Sequence, residues 1–478
     1  MDSGIEHCPE GTGPPGDRGA PATGRHTVPV IQATSPPRAA VTVAHPGPLP
    51  VGRHRALVDA LAQPLPPVRR PVLPGLPSRD AAQPFAAGAV SPCLGAVLAE
   101  PVAARIPVPP FANSAMDGFA VRHRDIAAAT EQQPVRLPVA GDIPAGETTP
   151  HVLAPGTAWR IMTGSAIPAG ADTVVKVEHT DHRPGVAALP ATVRFFIPPE
   201  PGANIRAAGE DLPTGALVLP AGRLLDGPAL AAAVSAGHGE LLVRPRPRVA
   251  IMTTGDELAA PGEPLLPGQI PDSNGVLLGG LICQAGADLV TAARIGDDPQ
   301  TLRTALADCP QVDLVLTAGG ISAGAYEVVR LALAGPGMRF HRVTQQPGGP
   351  QGAGLASVAG REVPVLCLPG NPVGVFVSFH VYAAGLIAVL AGRAETTEPV
   401  RQPVRAGQGW ASPPAKTQFI PVARQPDGRV VPIHRLGSGS HLVASLPQAD
   451  GLAIVPTGAG QVAPGDRLEF IPTRGAPQ

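Results

Sequence analysis

The sequence predicts a multidomain chain of α/β and β character, with an α/β domain on a parallel sheet near its centre and β-rich units on either side. Three observations lead there. At 478 residues the chain exceeds one ordinary hydrophobic core, and the usual domain size divides it into about three. From Arg248 onward, apolar strand-like runs alternate with short helical ones, the rhythm of βαβ units whose crossovers impose a parallel sheet. Over the whole chain 62 prolines and 57 glycines, with only 3% aromatics, favour many short strands and turns.

Taken in order, residues 1–52 lack periodicity and are rich in Pro, Gly, Ala and Thr. They bury too little apolar surface to offset the entropy of ordering, so a disordered tail is expected. "RHRALVDALAQPL", from Arg53, has helical spacing and opens the first domain. "CLGAVLAEPVAARIPVPPF", Cys93–Phe111, reads as a helix stopped by a proline cluster. Between 107 and 199 lie short β-rich runs such as "RLPVAGDI", "AWRIMTG" and "DTVVKVEHT". "GALVLPAGRLLDGPALAAAVSAGHGEL" returns to strand followed by helix. The α/β rhythm then fills 247–393, and β runs in 394–478 ("TQFIPVARQ", "RVVPIHRL", "LAIVP", "DRLEFIP") suit a small closing barrel.

Lys plus Arg number 36 and Asp plus Glu 37, a balance that offers no field for gathering nucleic acid or acidic membranes. Five scattered cysteines without a CxxC pair argue against a zinc knuckle or disulfide framework. The start, "MDSGIEHCPEGTGPPGDRG", has early acids and no apolar run, unlike a secretory signal. Val373–Leu390 is apolar but carries Ser378, His380 and Tyr382, which suits a packed helix rather than a membrane span. A cytoplasmic protein acting on small molecules is the expectation.

The stretch "VDLVLTAGGISAGAYEVV", Val312–Val329, runs from a buried strand into a turn almost stripped of side chains. Gly319, Gly320 and Gly324 there would let backbone N–H groups converge on an oxyanion at a helix start. Ser322 could add a hydrogen bond and Glu327 could hold a cation or a water. A tight strand-to-helix turn without a ligand stays open as the alternative. Nearby loops, "TTGDEL", "PDSN" and "GDDP", gather Asp256, Glu257, Asp272, Asp297 and Asp298. Acids beside a phosphate repel it unless a hard cation such as Mg²⁺ intervenes; singly, Asp272 and Asp297 also suit helix caps. "CLPGNPVGVF" ends another strand in a rigid turn at Pro369 and Pro372. "PPFANSAMDGFAV" places Ser114 and Asp117 in what is by itself an ordinary capped turn. The thirteen histidines form no HxxxH or HxH pair, and neither a GxSxG elbow nor a Walker loop is present.

The ordered set "NSAMDGFAV", "RIMTGSAIPAGADTVV", "NIRAAGEDLPTG", "TTGDEL", "PDSN", "TAGGISAGAYEVV" and "LPGNPV" resembles the MoeA family of molybdopterin molybdenumtransferases, related to the gephyrin E domain. The resemblance covers about 53–475. It implies a homodimer of elongated subunits: a discontinuous N-terminal domain (53–106 and 200–246), an inserted β-rich domain (107–199), a central MoaB/MogA-like α/β domain (247–393) and a C-terminal β barrel (394–478). It further implies that adenylylated molybdopterin and molybdate, with Mg²⁺, become molybdenum cofactor and AMP.

By the same resemblance, Asp117 and Thr163 would reach the active cleft from the partner subunit, and Arg206 and Asp211 match the family's "R..GED". Glu257, Asp272, Ser273, Asp297, Asp298 and Glu327 would line the central loops; Asp297, Asp298 and Glu327 are the metal candidates. Gly319, Gly320, Ser322 and Gly324 would cradle phosphate, Pro369, Asn371 and Pro372 would shape the adjoining wall, and Ser440 in "GSGSHL" would be a further cofactor-binding residue.

There are departures. Where the family commonly reads K-P-G-K-P this chain reads "QPGGP", with Gln346 and Gly349 for the two lysines; Gly374 replaces a serine, and Pro421 an arginine. Arg342, Arg361 and Lys416 are the cations that could compensate. Two other readings remain: a catalytically weakened paralogue that binds molybdopterin or a partner protein, and a molybdopterin adenylyltransferase, against which the barrel and "NSAMDGFAV" segments argue.

Overall fold

The computed structural model describes residues 47–73, 91–322, 327–394 and 396–473. Gly324 and all but the last six residues of the expected N-terminal tail lie outside them.

The central domain is organised by a six-stranded sheet in the order Asp288–Ile295, Arg248–Thr254, Leu314–Ala318, Arg361–Leu368, Pro350–Val358, Met338–Arg342. The first four strands are parallel, as the βαβ rhythm requires. Each of the last two pairs antiparallel with its neighbour, so Pro350–Val358 alone runs against the other five. Its reversal follows from a two-residue turn in which Ala359 (φ 48°) and Gly360 (φ 75°) are both left-handed, the geometry of a tight hairpin rather than a crossover. Val249–Thr254 and Leu314–Ala318 are buried throughout, because helices cover both sheet faces.

On one face Ile251, Leu316 and Leu366 pack against the helices Ser273–Gln284 and Pro372–Leu390. On the other, Met252, Val315 and Val365 meet Pro299–Ala307 and Val328–Leu333. Each such buried aliphatic side chain stabilises the fold by roughly 1.5–3 kcal/mol relative to exposure. Pro372–Leu390 is long and apolar enough to cross a bilayer, yet 78% of it is buried inside the protein, as its polar residues suggest.

The helix Val51–Asp59 lies on this central core through Val58, and Arg55 donates to the Thr397 carbonyl at 3.0 Å. The strands that follow it belong elsewhere: Val68–Pro71 and Val97–Leu98 flank Glu240–Arg244, and Val102–Ala103 pairs with Leu217–Leu219. The helix expected over Cys93–Phe111 does not form. Pro101 removes a helical N–H, Gly95 is left-handed at φ 73°, and pairing of Val97 with Arg244 and of Val102 with Leu219 outcompetes the local alanine propensity. The helix Gly227–Ser235 is capped by Asp226, which accepts from the Ala229 amide at 2.9 Å.

Five strands make the inserted sheet, in the order Thr173–Lys176, Gly118–Val121, Ala158–Ile161, Val135–Ile143, Thr192–Phe195, over a core that includes Phe119, Val193 and Phe195. The C-terminal unit has a sheet of Thr417–Arg424, Gly451–Val455, Arg467–Pro472 and Gln402–Arg405. Gln345–Gln346 joins this sheet in parallel, Gln345 opposite Thr417 and Gln346 opposite Gln418. That pairing brings the turn at 346–349 beside the C-terminal unit and fixes one wall of the cleft described next.

Candidate active site

A cleft of about 830 Å³ opens where the parallel strands end at their carboxyl termini, the position at which open α/β sheets bind ligands. Its floor is the Gly319–Gly320 turn. Gly319 has φ 100° and Gly320 φ 60°, and a Cβ at either would stand 2.7 Å from Thr254 O or from Val328 Cγ1 respectively. Part of what comes close to this stripped backbone is therefore the protein itself. The helix beyond it, Val328–Leu333, has six residues, and the Val329 and Arg330 amides bond to Gly320 O at 3.1 and 3.2 Å. Those two donors are spent inside the turn.

The second turn leans on the first. A Cβ at Gly370 would lie 3.4 Å from Gly319 Cα, and Asn274 donates to Gly370 O at 2.6 Å. Pro372 opens the next helix, and the Val373 amide reaches across to Ser440 O at 3.0 Å, fastening the C-terminal unit to the cleft. Ser273, Ser322, Pro369, Asn371, Pro372 and Ser440 all line it.

The acids separate into two groups. Asp272 accepts from Thr253 Oγ1 at 2.6 Å and from the Gly275 amide at 3.0 Å, so both its oxygens serve the fold. Asp298 caps the next helix through the Gln300 and Thr301 amides, bonds that hold its carboxyl below the usual range. Asp256 accepts from the Asp297 amide at 3.0 Å. Glu257, Asp297 and Glu327 face the cleft. Of the two residues weighed as caps, Asp272 is one; at the other loop the cap is Asp298 and Asp297 is left to the cavity. Among the described residues no three His, Cys, Asp or Glu side chains converge as a ready-made metal cage.

Asp117, Thr163 and Asp211 do not line this cleft. Asp117 is exposed and accepts from both the amide and the hydroxyl of Thr163, each at 2.7 Å; the two bonds hold its carboxyl below the usual aspartate range. It borders a separate cavity of about 600 Å³ on the inserted domain, with Asp142, Arg160 and His182. Asp211 and Arg206 are exposed on the connecting segment.

Of the three possible compensating cations, Arg342 and Lys416 line the main cleft together with Gln346 and Gly349. Arg361 starts the strand that ends at the cleft and borders a different cavity. Sequence reasoning missed the buried support beneath the 346–349 turn. Tyr382 donates to Gln345, Gln345 to Pro347 O at 3.1 Å, and Gln351 to Gly348 O at 2.8 Å and to Ser378 at 2.6 Å. The polar residues inside the apolar run Val373–Leu390 were the signal for it.

Three family models tile the chain: "MoeA N-terminal region (domain I and II)" over 53–237, "Probable molybdopterin binding domain" over 250–388, and "MoeA C-terminal region (domain IV)" over 403–473. Molybdopterin molybdenumtransferase 2 of Mycobacterium tuberculosis is 40% identical over 390 residues, spanning 78% of this chain and 92% of the relative. The chain belongs to the MoeA family. A second MoeA relative, the molybdopterin molybdenumtransferase of a Nostoc species, is 35% identical over 78% of this chain and 85% of its own length. The crystal structure of the molybdopterin biosynthesis MoeA protein from Pyrococcus horikosii superposes with a TM-score of 0.64 at 27% identity, covering 90% of this chain and all of that one. The multidomain architecture, with its α/β central domain, is thus that of the MoeA fold.

Proposed function

We propose that this protein is a molybdopterin molybdenumtransferase: it takes adenylylated molybdopterin and molybdate, inserts the metal at the dithiolene, and releases AMP. The observation that carries this is the cleft at the strand ends, where two interlocked glycine turns stand among carboxylates and cations. The relatives' names and the three family models point the same way.

In this reading the Gly319–Gly320 turn and Ser322 hold a phosphate, and the Pro369–Pro372 turn with Ser440 shapes the adjoining wall. Mg²⁺ fits the donors in a limited sense. It is commonly bound by one or two carboxylates plus substrate phosphates, and Asp297 and Glu327 are carboxylates on the cavity wall while Asp298 is consumed by its helix. When bound, it neutralises phosphate charge. The protein acts as a homodimer in the cytoplasm, and the partner subunit's Asp117 and Thr163 complete the cleft. Positioning and electrostatic stabilisation supply the catalysis, with no covalent intermediate on the protein.

The test is AMP release from adenylyl-molybdopterin by the purified protein with Mg²⁺ and molybdate. A specific observation favours one other reading, a binding protein with weakened turnover: Gln346 and Gly349, the wall positions where the family resemblance implies lysine, are uncharged here. Gln346→Lys combined with Gly349→Lys would then raise a slow molybdate-dependent release, whereas an unaltered enzyme that is already fast rules this second reading out.

A further inference from the structure

The charges that line the main cleft are sorted by wall. Glu257, Asp297 and Glu327 come from loops at the sheet edge; Arg342 ends the Met338–Arg342 strand and Lys416 precedes Thr417–Arg424 on the C-terminal unit. Neither cation forms a hydrogen bond or ion pair through its side chain with any described residue. Opposite charges that share a cavity and stay apart leave a bipolar site, and two unneutralised cations on one wall are electrostatically matched to an anion.

The backbone brings these cations to one turn. Thr417 donates to Thr344 O at 2.9 Å, which seats Lys416 next to the 344–349 segment, and Arg342 pairs with Pro350 across the neighbouring ladder. A Cβ built at Gly349 would lie 4.0 Å from Arg342 Cγ and 3.5 Å from Val343 O, ordinary contacts with no positive φ to forbid them. A side chain at position 349 would therefore emerge alongside that of Arg342.

We propose that Arg342, with Lys416 across the turn, is the oxyanion-binding cation of this protein, supplying from the end of a neighbouring strand the charge that positions 346 and 349 lack. A planar guanidinium presents paired N–H donors that match two oxygens of a tetrahedral oxyanion. Gly349, without a side chain, keeps the space beside it open. The identification of that oxyanion as molybdate rests on the function proposed above; the assignment of Arg342 does not.

The test is equilibrium dialysis of molybdate against the full-length protein at low ionic strength, in parallel with AMP release. Arg342→Gln is expected to weaken molybdate binding about ten- to hundredfold, the range of one charge-assisted hydrogen-bonding partner, with the melting temperature unchanged. Adding Gly349→Lys to Arg342→Gln should restore most of the binding, since the new ammonium enters the same space. Unchanged binding in Arg342→Gln, or no saturable binding by the unaltered protein, overturns the assignment. Arg342-dependent binding without any AMP release upholds it and overturns the functional reading instead.

Discussion

The central cleft and the Asp117 turn of the inserted domain hold the two halves of the expected site, and they are built differently. In the cleft, four strand ends, two touching glycine turns and a docked C-terminal unit fix the walls, and the wall-facing acids are kept apart from those that cap helices. At Asp117 there is one exposed carboxylate with a single threonine partner, bordering a cavity that no central loop enters. The first region is a cleft made by the fold of one chain. The second is an outlying acid, complete in its own hydrogen bonds, that gains a role only if another surface is brought to it.

The largest expected effect lies in the cleft. Asp297→Ala or Glu327→Ala should lower AMP release by about a hundredfold or more, as loss of a preorganised charge does, with folding intact by circular dichroism. If Asp117→Ala alone abolished release while both cleft variants kept it, the roles assigned to the two regions would be reversed.

Next, the same backbone substitution should cost more in the cleft than beside Asp117. Gly319 and Gly164 both have positive φ, but a Cβ at Gly319 meets Thr254 O at 2.7 Å and one at Gly164 meets nothing within 4 Å. Gly319→Ala should destabilise by about 1–3 kcal/mol from strain plus overlap, and Gly164→Ala by about 1 kcal/mol from strain alone. Denaturant melts that rank them the other way would contradict the packing described for the glycine turn.

A smaller effect concerns acid sensitivity of the support under the cleft. His54 is 1% exposed, stacks edge-on against Tyr382 at 4.8 Å, and burial lowers it from 6.5 to about 3. Between those values the unfolded chain takes up a proton that the folded one refuses. Stability should therefore fall as pH drops from about 6.5 toward 3, by up to about 1.4 kcal/mol per pH unit from this group. His54→Phe should flatten the decline of melting temperature between pH 6.5 and 4.5; an unchanged slope would locate the sensitivity elsewhere.

The smallest prediction belongs to the outlying acid. Thr163→Val removes one of the two bonds that keep Asp117 acidic, so the Asp117 carboxyl should titrate higher, read by NMR as an upward shift. In the proposed dimer the acid limb of the pH–rate profile should move the same way. Asp117's depressed value favours the folded state above the ordinary aspartate range, and that contribution is lost as pH falls through the folded value.

Much of this was legible in the sequence because it is local. The alternation from Arg248 announces the parallel strands, and "TAGG" and "LPGNP" mark turns whose constraints act within a few residues. What was not legible depends on distant partners. The strand at Val97 is made by Arg244, the reversal of Pro350–Val358 by the Ala359–Gly360 turn, and the choice between Asp297 and Asp298 by which one reaches the Gln300 and Thr301 amides. The question whether Gly319 and Gly320 make room for a ligand also had a half-hidden answer, since Thr254 and Val328 already fill one side.

The central claim, that a working site needs the cleft of one subunit and Asp117 of the other, is tested most directly by mixing two inactive variants. Asp117→Ala and Glu327→Ala protomers, denatured together and refolded in equal amounts, should yield mixed dimers with one intact site each, and AMP release should return to about a quarter of the unaltered rate on random pairing. Release that stays at the level of the two separate variants would mean that Asp117 and the cleft do not meet across a subunit boundary.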